Sequence, residues 1–212
     1  MVAVEAFPPL QALGVRHGFA VRQPGVPVDQ DRTRALELLR PNHEGILRFA
    51  LPEQPRLHTA EQIHGAGVAL ASGESRCHAG ADALITVDPT VCLGIYTADC
   101  CAVFLWDPEV RAAGLAHSGA KGTAQEIVPK TVAAMRKAFA CDPGRMIAVL
   151  SPCIRPPLYE VDFAAQIRVQ CAEAGLREVW DGGECTGSDV TRYYSYRMER
   201  GNTGRMLAFI AV

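Results

Sequence analysis

Val91-Cys92-Leu93-Gly94-Ile95-Tyr96-Thr97-Ala98-Asp99-Cys100-Cys101-Ala102-Val103-Phe104-Leu105-Trp106-Asp107-Pro108 is the stretch whose reading decides the fold. Its first seven residues form an unbroken β-favouring run, long enough for a strand buried on both faces. A second apolar run, residues 102–106, follows the polar Asp99-Cys100 step, and Asp107-Pro108 breaks it. A third, residues 112–116, runs up to His117. Short apolar runs separated by turn residues predict successive strands of one sheet system.

Outward from this centre the pattern alternates. Upstream, residues 65–71 predict a strand, and Gly80-Ala81-Asp82 a turn leading into another over 83–86. Further back, apolar Ala35, Leu36, Leu38 and Leu39 predict a helix over 31–40, stopped by Pro41. A proline-rich turn is expected at 24–27 and a short strand before Arg16. Downstream, Ile127, Val128, Thr131, Val132, Met135 and Phe139 predict a helix over 122–140, with Pro129 kinking or restarting it. A strand is expected over 146–150, a helix over 162–174 closed by Gly175, and a final strand over 206–212. Strands alternating with two substantial helices predict an α/β fold with mixed β-sheets flanked by helices. No repeat or low-complexity segment divides residues 1–212, which we expect to form a single domain.

Composition narrows the function. The chain has 212 residues, 49% hydrophobic and 21% charged, with a net charge of −2. That balance gives no electrostatic drive toward nucleic acid or an acidic membrane. No apolar run reaches the roughly 18 residues of a membrane span. The residues after Met1 lack a basic start and a long apolar core, so a cytoplasmic location is expected. Eight cysteines include no Cys-x-x-Cys pair. Those in apolar patterns, such as Cys92 and Cys171, read as small buried hydrophobes.

Three turns carry the chemistry: Gln62-Ile63-His64-Gly65, Thr97-Ala98-Asp99-Cys100 and Ala116-His117-Ser118-Gly119. His64, Cys100 and His117 are three metal-binding side chains, and three protein ligands leave a position open, as in a catalytic zinc site. The same residues also suit a nucleophilic thiol with its base. Adjacent Cys100 and Cys101 face opposite ways in extended chain, so only one of them can belong to the site. Asp82 reads as a carboxylate that orients a ligand histidine or caps a turn. Lys121 stands in a small-residue loop expected to open a helix, where an anion is favoured. Tyr193-Tyr194-Ser195-Tyr196-Arg197 and Thr203-Gly204-Arg205 offer aromatic and guanidinium groups for a base and a phosphate; the competing reading is an edge strand with solvated arginines. His17, His43, His58 and His78 read as structural or exposed, the last two in polar loops.

Taken together, these segments resemble the laccase-domain family, described both as polyphenol oxidase and as purine nucleoside phosphorylase with adenosine deaminase activity. The motifs occur in the family's order: Arg16-His17-Gly18-Phe19, Gln62-Ile63-His64-Gly65, Gly80-Ala81-Asp82-Ala83-Leu84, Thr97-Ala98-Asp99-Cys100, Ala116-His117-Ser118-Gly119, Pro152-Cys153-Ile154 with Tyr159-Glu160-Val161, and Ser195-Tyr196-Arg197 through Thr203-Gly204-Arg205-Met206. The resemblance implies two mixed sheets between helical layers, of cysteine-hydrolase-like type. It also implies a zinc site made by His64, Cys100 and His117.

The chain departs from the family pattern at several points. The family's Ala-His-Ala-Gly-Trp-Arg-Gly is Ala116-His117-Ser118-Gly119-Ala120-Lys121-Gly122 here, and Ala102 replaces the proline usual two residues after Cys100. The family's Ser-Leu-Asn-Leu segment is absent. The reading is therefore a zinc-dependent enzyme acting on a purine nucleoside and phosphate, by phosphorolysis, deamination or both. His64, Cys100 and His117 are its metal and catalytic residues; Lys121, Asp82, Arg197 and Arg205 are its substrate-binding residues. Three alternatives stand beside it: a copper-dependent polyphenol oxidoreductase, a cysteine hydrolase or amidase using Cys100 and His117, and a degenerate non-catalytic homologue.

Overall fold

The computed structural model describes residues 4–74 and 76–212. In chain order the elements are β1 (Val4–Glu5), α1 (Pro8–Ala12), β2 (Arg16–Ala20), α2 (Arg32–Ala50), β3 (Arg56–Ala60), β4 (Val68–Leu70), β5 (Cys77–His78) and β6 (Ala83–Thr86). They continue with β7 (Val91–Thr97), β8 (Cys101–Asp107), β9 (Ala112–Ser118), α3 (Ala120–Ala124), α4 (Ile127–Phe139), β10 (Ile147–Leu150), α5 (Phe163–Glu173), β11 (Glu178–Asp181) and β12 (Met206–Ala211).

Two mixed six-stranded sheets result, in the orders β1-β2-β12-β7-β3-β5 and β11-β10-β8-β9-β6-β4. In the first, β2, β12 and β7 run antiparallel to their neighbours while β3 joins β7 parallel. In the second, β10, β8, β9 and β6 form antiparallel pairs, with β11 and β4 added parallel at the edges. The expected mixed α/β architecture is therefore the observed one.

Side-chain alternation shows how the layers stack. Along β8, Ala102, Phe104 and Trp106 enter the core shared by the two sheets. Cys101, Val103 and Leu105 face the other way, into the layer of α4 and α5. Along β7, Leu93 and Ile95 enter the shared core, whereas Cys92 joins Ile46 and Leu51 at the end of α2. Each strand is thus covered on both faces, which explains why β7 and β8 read as continuous apolar runs. No helix among the described residues is long and apolar enough to cross a membrane. All eight cysteines are free thiols. Cys92 and Cys171 are fully buried as expected, and burial pushes both thiols up to about 12.

Several expectations need correction. The helix expected over 31–40 does not stop at Pro41 but runs to Ala50. Its buried face continues through Ala35, Leu39, His43 and Ile46, while Pro41 lies on the exposed side. A carbonyl freed by proline there is open to water, so packing outweighs the lost hydrogen bond. The helix expected over 122–140 is two helices, α3 and α4, separated at Gln125 and Glu126; Glu126 adopts φ 60. Pro129 then sits in the first turn of α4, where its missing N–H has no intrahelical partner to lose. The strand expected before Arg16 is β2 itself, and α1 precedes it. Residues 193–197 form turns, not an edge strand, although Tyr193 and Tyr194 are buried. His58 and His78 lie on β3 and β5, with Nδ1 of the first 3.1 Å from Nε2 of the second.

Candidate metal centre and cavity

Asp82 is the buried anchor of the site. It precedes β6, and its carboxylate accepts the backbone N–H groups of Ile63 at 3.2 Å, His64 at 3.0 Å and Gly65 at 2.7 Å. These bonds hold the turn after β3, in which Gln62 and His64 take left-handed φ values of 63 and 60. Gln62 fixes the other side of that turn: its amide donates to the Tyr96 carbonyl at 2.6 Å and accepts the Tyr96 N–H at 2.9 Å. The Gln-Ile-His-Gly motif is thereby explained locally: the glutamine splices the turn to β7, and the three following N–H groups grip one carboxylate.

The same carboxylate reaches His117, with Oδ1 2.9 Å from Nδ1. An ionised carboxylate only accepts, so Nδ1 carries the hydrogen and Nε2 is free to bind elsewhere. His117 lies on β9, which extends past the expected 112–116 as far as Ser118. Cys100 closes the group at the carboxyl end of β7, one residue before β8. Gly119 lies against it; a Cβ on that residue would stand 2.4 Å from the Cys100 Sγ. The donor atoms of His64, Cys100 and His117 all lie within 4.8 Å of one another. The two imidazole centroids are 4.8 Å apart, in an edge-on arrangement.

The electrostatics follow from burial and contact. Burial raises the Asp82 carboxyl, but the His117 hydrogen bond and the Gly65 N–H outweigh it and hold the group below the usual carboxylate range. Burial raises the Cys100 thiol, yet hydrogen bonds from His117 and His64 bring it down to about 6. Burial lowers His117, while Asp82 and Cys100 raise it to about 9. The cluster therefore favours a Cys100 thiolate beside a protonated His117.

Asp99 joins three further segments to the site. Its Oδ1 accepts the Thr186 hydroxyl at 2.7 Å, its Oδ2 accepts the Arg197 N–H at 2.7 Å, and its carbonyl accepts the Ile154 N–H at 2.8 Å. Asp99 thereby makes the Thr-Ala-Asp-Cys turn a junction of distant loops. A cavity of about 710 Å³ opens over the cluster, its walls including His64, Cys100, His117, Tyr96, Tyr159, Phe163, Tyr196 and several basic residues.

The expected site residues distribute unequally. Lys121, Arg197 and Arg205 line the cavity with the three donors. Asp82, expected among the substrate-binding residues, is buried and absent from the wall; its contacts make it a positioning residue. Lys121 sits inside the five-residue α3, not in a loop before a long helix. Arg197 pairs with Glu160 and lies 5.1 Å from the Tyr159 ring centroid. Arg32, Gln62, Tyr96, Phe163 and Arg200 reach the cavity without having been singled out by sequence patterns. Only the Gln-x-His-Gly spacing carried a signal for one of them, Gln62.

This fold and donor cluster define a recognisable class. The chain belongs to the family described as multi-copper polyphenol oxidoreductase laccase, whose model matches residues 37–168 and 159–212. Its relatives bear a different name: the purine nucleoside phosphorylase of Deinococcus radiodurans is 33% identical, covering 94% of this chain and 90% of its own length. The purine nucleoside phosphorylase YlmD of Geobacillus stearothermophilus is 27% identical over 93% of this chain and 88% of its own length. The crystal structure of Bacillus licheniformis hypothetical protein YfiH superposes with a TM-score of 0.86 at 20% identity, covering 100% of this chain and 97% of that one. The structure of YlmD from Geobacillus stearothermophilus gives 0.80 at 24% identity, covering 97% and 93%. The last two likenesses concern the fold.

Proposed function

We propose that this protein is a zinc-dependent purine nucleoside phosphorylase that also deaminates adenosine. The observation that carries the proposal is the His64–Cys100–His117 cluster opening on a cavity lined with aromatic and basic side chains. The names of the relatives support the phosphorylase part of it. Two imidazole nitrogens and a thiolate suit zinc, and three protein donors leave a position for substrate or water. The Asp82–His117 contact is the outer carboxylate–histidine bond that orients such a ligand. Zinc held there supplies Lewis acidity toward a substrate atom or water.

The chain's own groups do the rest. Tyr159 and Tyr196, on the cavity wall, supply aromatic surface for a purine ring. The basic side chains hold phosphate near the ribose. In phosphorolysis a phosphate oxygen bonds to the anomeric carbon and the glycosidic carbon–nitrogen bond breaks. The electron pair leaves with the purine, which takes up the proton released from phosphate. Deamination is a separate displacement at the base: a water oxygen bonds to the purine ring carbon that carries the amino group, that carbon–nitrogen bond breaks, and the amino group leaves as ammonia with a proton from the water. Among the described residues only one group of three metal-binding side chains exists, too few for a multicopper centre.

A second reading has its own support. Asp82, His117 and Cys100 form an acid–base–nucleophile series, with Asp82 fixing the tautomer that turns Nε2 toward the thiol. In that reading the Cys100 thiolate bonds to an amide carbonyl carbon, the carbon–nitrogen bond breaks, the amine leaves with a proton from His117, and water then releases the acyl group from the sulfur. Metal content by mass spectrometry, with adenosine and inosine turnover measured with and without phosphate, separates the two. About one zinc per chain and phosphate-dependent inosine cleavage are expected. A metal-free protein that cleaves amides and is silenced by iodoacetamide establishes the second reading instead.

A further inference from the structure

The cavity walls are strongly cationic. Arg32, Lys121, Arg197, Arg200 and Arg205 line them against a single carboxylate, Asp99, whose oxygens are already engaged by Thr186 and Arg197. Arg197 has its partner in Glu160. Arg32 and Arg205 take part in none of the ion pairs among the described residues.

Arg205 is the unusual member. It is 8% exposed and immediately precedes β12, at the centre of the first sheet. Its Nη1 donates to the carbonyls of Thr203 at 2.6 Å and Gly204 at 2.8 Å, while Nε and Nη2 have no protein acceptor among the described residues. Burial and the neighbouring Arg32 charge both depress its proton affinity. Arg32 begins α2 and is tethered through Nη2 to the Glu61 carbonyl at 3.2 Å. The lost hydration of a buried guanidinium and the Arg32 charge together outweigh the favourable pull of Asp99 and Cys100 on Arg205. A dianion between them removes both costs and takes two oxygens per planar fork.

We propose that Arg32 and Arg205 form a phosphoryl-binding subsite on the first-sheet side of the cavity. It is separate from Lys121, which comes from α3 behind β9 of the second sheet. The inference rests on the nucleoside phosphorylase reading and deepens it by naming the residues that grip the anion. The phosphoryl group belongs either to inorganic phosphate, the attacking co-substrate, or to the 5′-phosphate of a nucleotide.

Calorimetric titration tests the subsite without requiring turnover. The natural protein, Arg32→Ala, Arg205→Lys and Lys121→Ala are titrated with inorganic phosphate, adenosine 5′-monophosphate and adenosine. Arg32→Ala changes an exposed residue, and Arg205→Lys keeps the charge and most of the buried side chain; thermal midpoints check both. Each is expected to weaken the phosphate-bearing ligand about tenfold, the loss of one charge-assisted contact, with adenosine affinity unchanged. A weakened inorganic phosphate identifies the co-substrate as the source. If only the monophosphate loses affinity, the source is a nucleotide. Phosphoryl affinity unaltered in both arginine variants, or no binding of either phosphate ligand to the natural protein, overturns the subsite. Intact phosphoryl binding with no cleavage of any nucleoside or nucleotide would instead refute the phosphorylase reading and leave the subsite standing.

Discussion

The carboxylate of Asp82 and the imidazole of His117 lie 2.9 Å apart, and the same carboxylate holds the backbone N–H of His64. One buried residue therefore positions two of the three donors, although it donates nothing to the cavity. Replacing Asp82 by Asn keeps the shape but puts an N–H₂ group among four donors. Metal affinity should fall by about 10- to 100-fold, the usual cost of losing an outer-shell partner. Competition with a zinc chelator measures it; unchanged zinc retention would show that the donors hold their geometry without Asp82.

The paired cysteines should separate cleanly. Cys100 belongs to the cluster, whereas Cys101 opens β8 and is buried on its α4–α5 side, with Sγ 3.6 Å from the Ser151 carbonyl. Cys100→Ser should strip most of the metal, since a hydroxyl does not ionise at neutral pH as this thiol does. Cys101→Ala should keep the metal and lose about 1 kcal/mol of stability from a small cavity. Mass-spectrometric zinc content and urea unfolding give both numbers, and the reverse pattern would exchange the roles of the two residues.

Gly119 has no room for a side chain. A methyl group there meets the Cys100 Sγ at 2.4 Å, so the thiol must move out of the cluster. Gly119→Ala should retain the fold, because its φ of −100 is open to any residue, yet weaken the metal. A cobalt-substituted protein reports this directly: the thiolate-to-metal charge-transfer band should fade in the variant. A band of unaltered intensity would mean that Cys100 is not a ligand.

His43 should make the protein acid-sensitive. Burial in α2 against Tyr96, with neither ring nitrogen hydrogen-bonded, holds its pKa down to about 4. The unfolded chain takes up this proton near pH 6.5, so stability is intact above that value and is lost as pH falls toward about 4. Between pH 7 and 5 the loss attributable to His43 is about 2 kcal/mol. His43→Leu should remove that component, and urea unfolding of both proteins at the two pH values checks it. Equal pH dependence in the two would mean that His43 is charged when folded.

The sequence by itself determined the parts of this protein in which local chemistry and tertiary environment agree. β7 was readable residue for residue, because a strand buried on both faces must be apolar throughout. The helix capped by Asp162 and closed at Gly175, which has φ 95, was readable because caps are local. The donors were readable as types: His64 and Cys100 follow strands β3 and β7, and His117 stands near the end of β9, where side chains meet a cleft. Other features belonged to the tertiary structure alone. Pro41 stays within α2 because the buried face on either side outweighs one missing hydrogen bond. Arg32 and Arg205 share one cavity only because α2 packs beside the first sheet, across 173 positions of chain that no local pattern spans. Asp82 became a positioning residue, and not a substrate ligand, once folding brought four donors around it and removed it from the cavity. Residue type sets what a side chain is able to do, but its burial and partners, which decide what it does, exist only after distant segments have packed together.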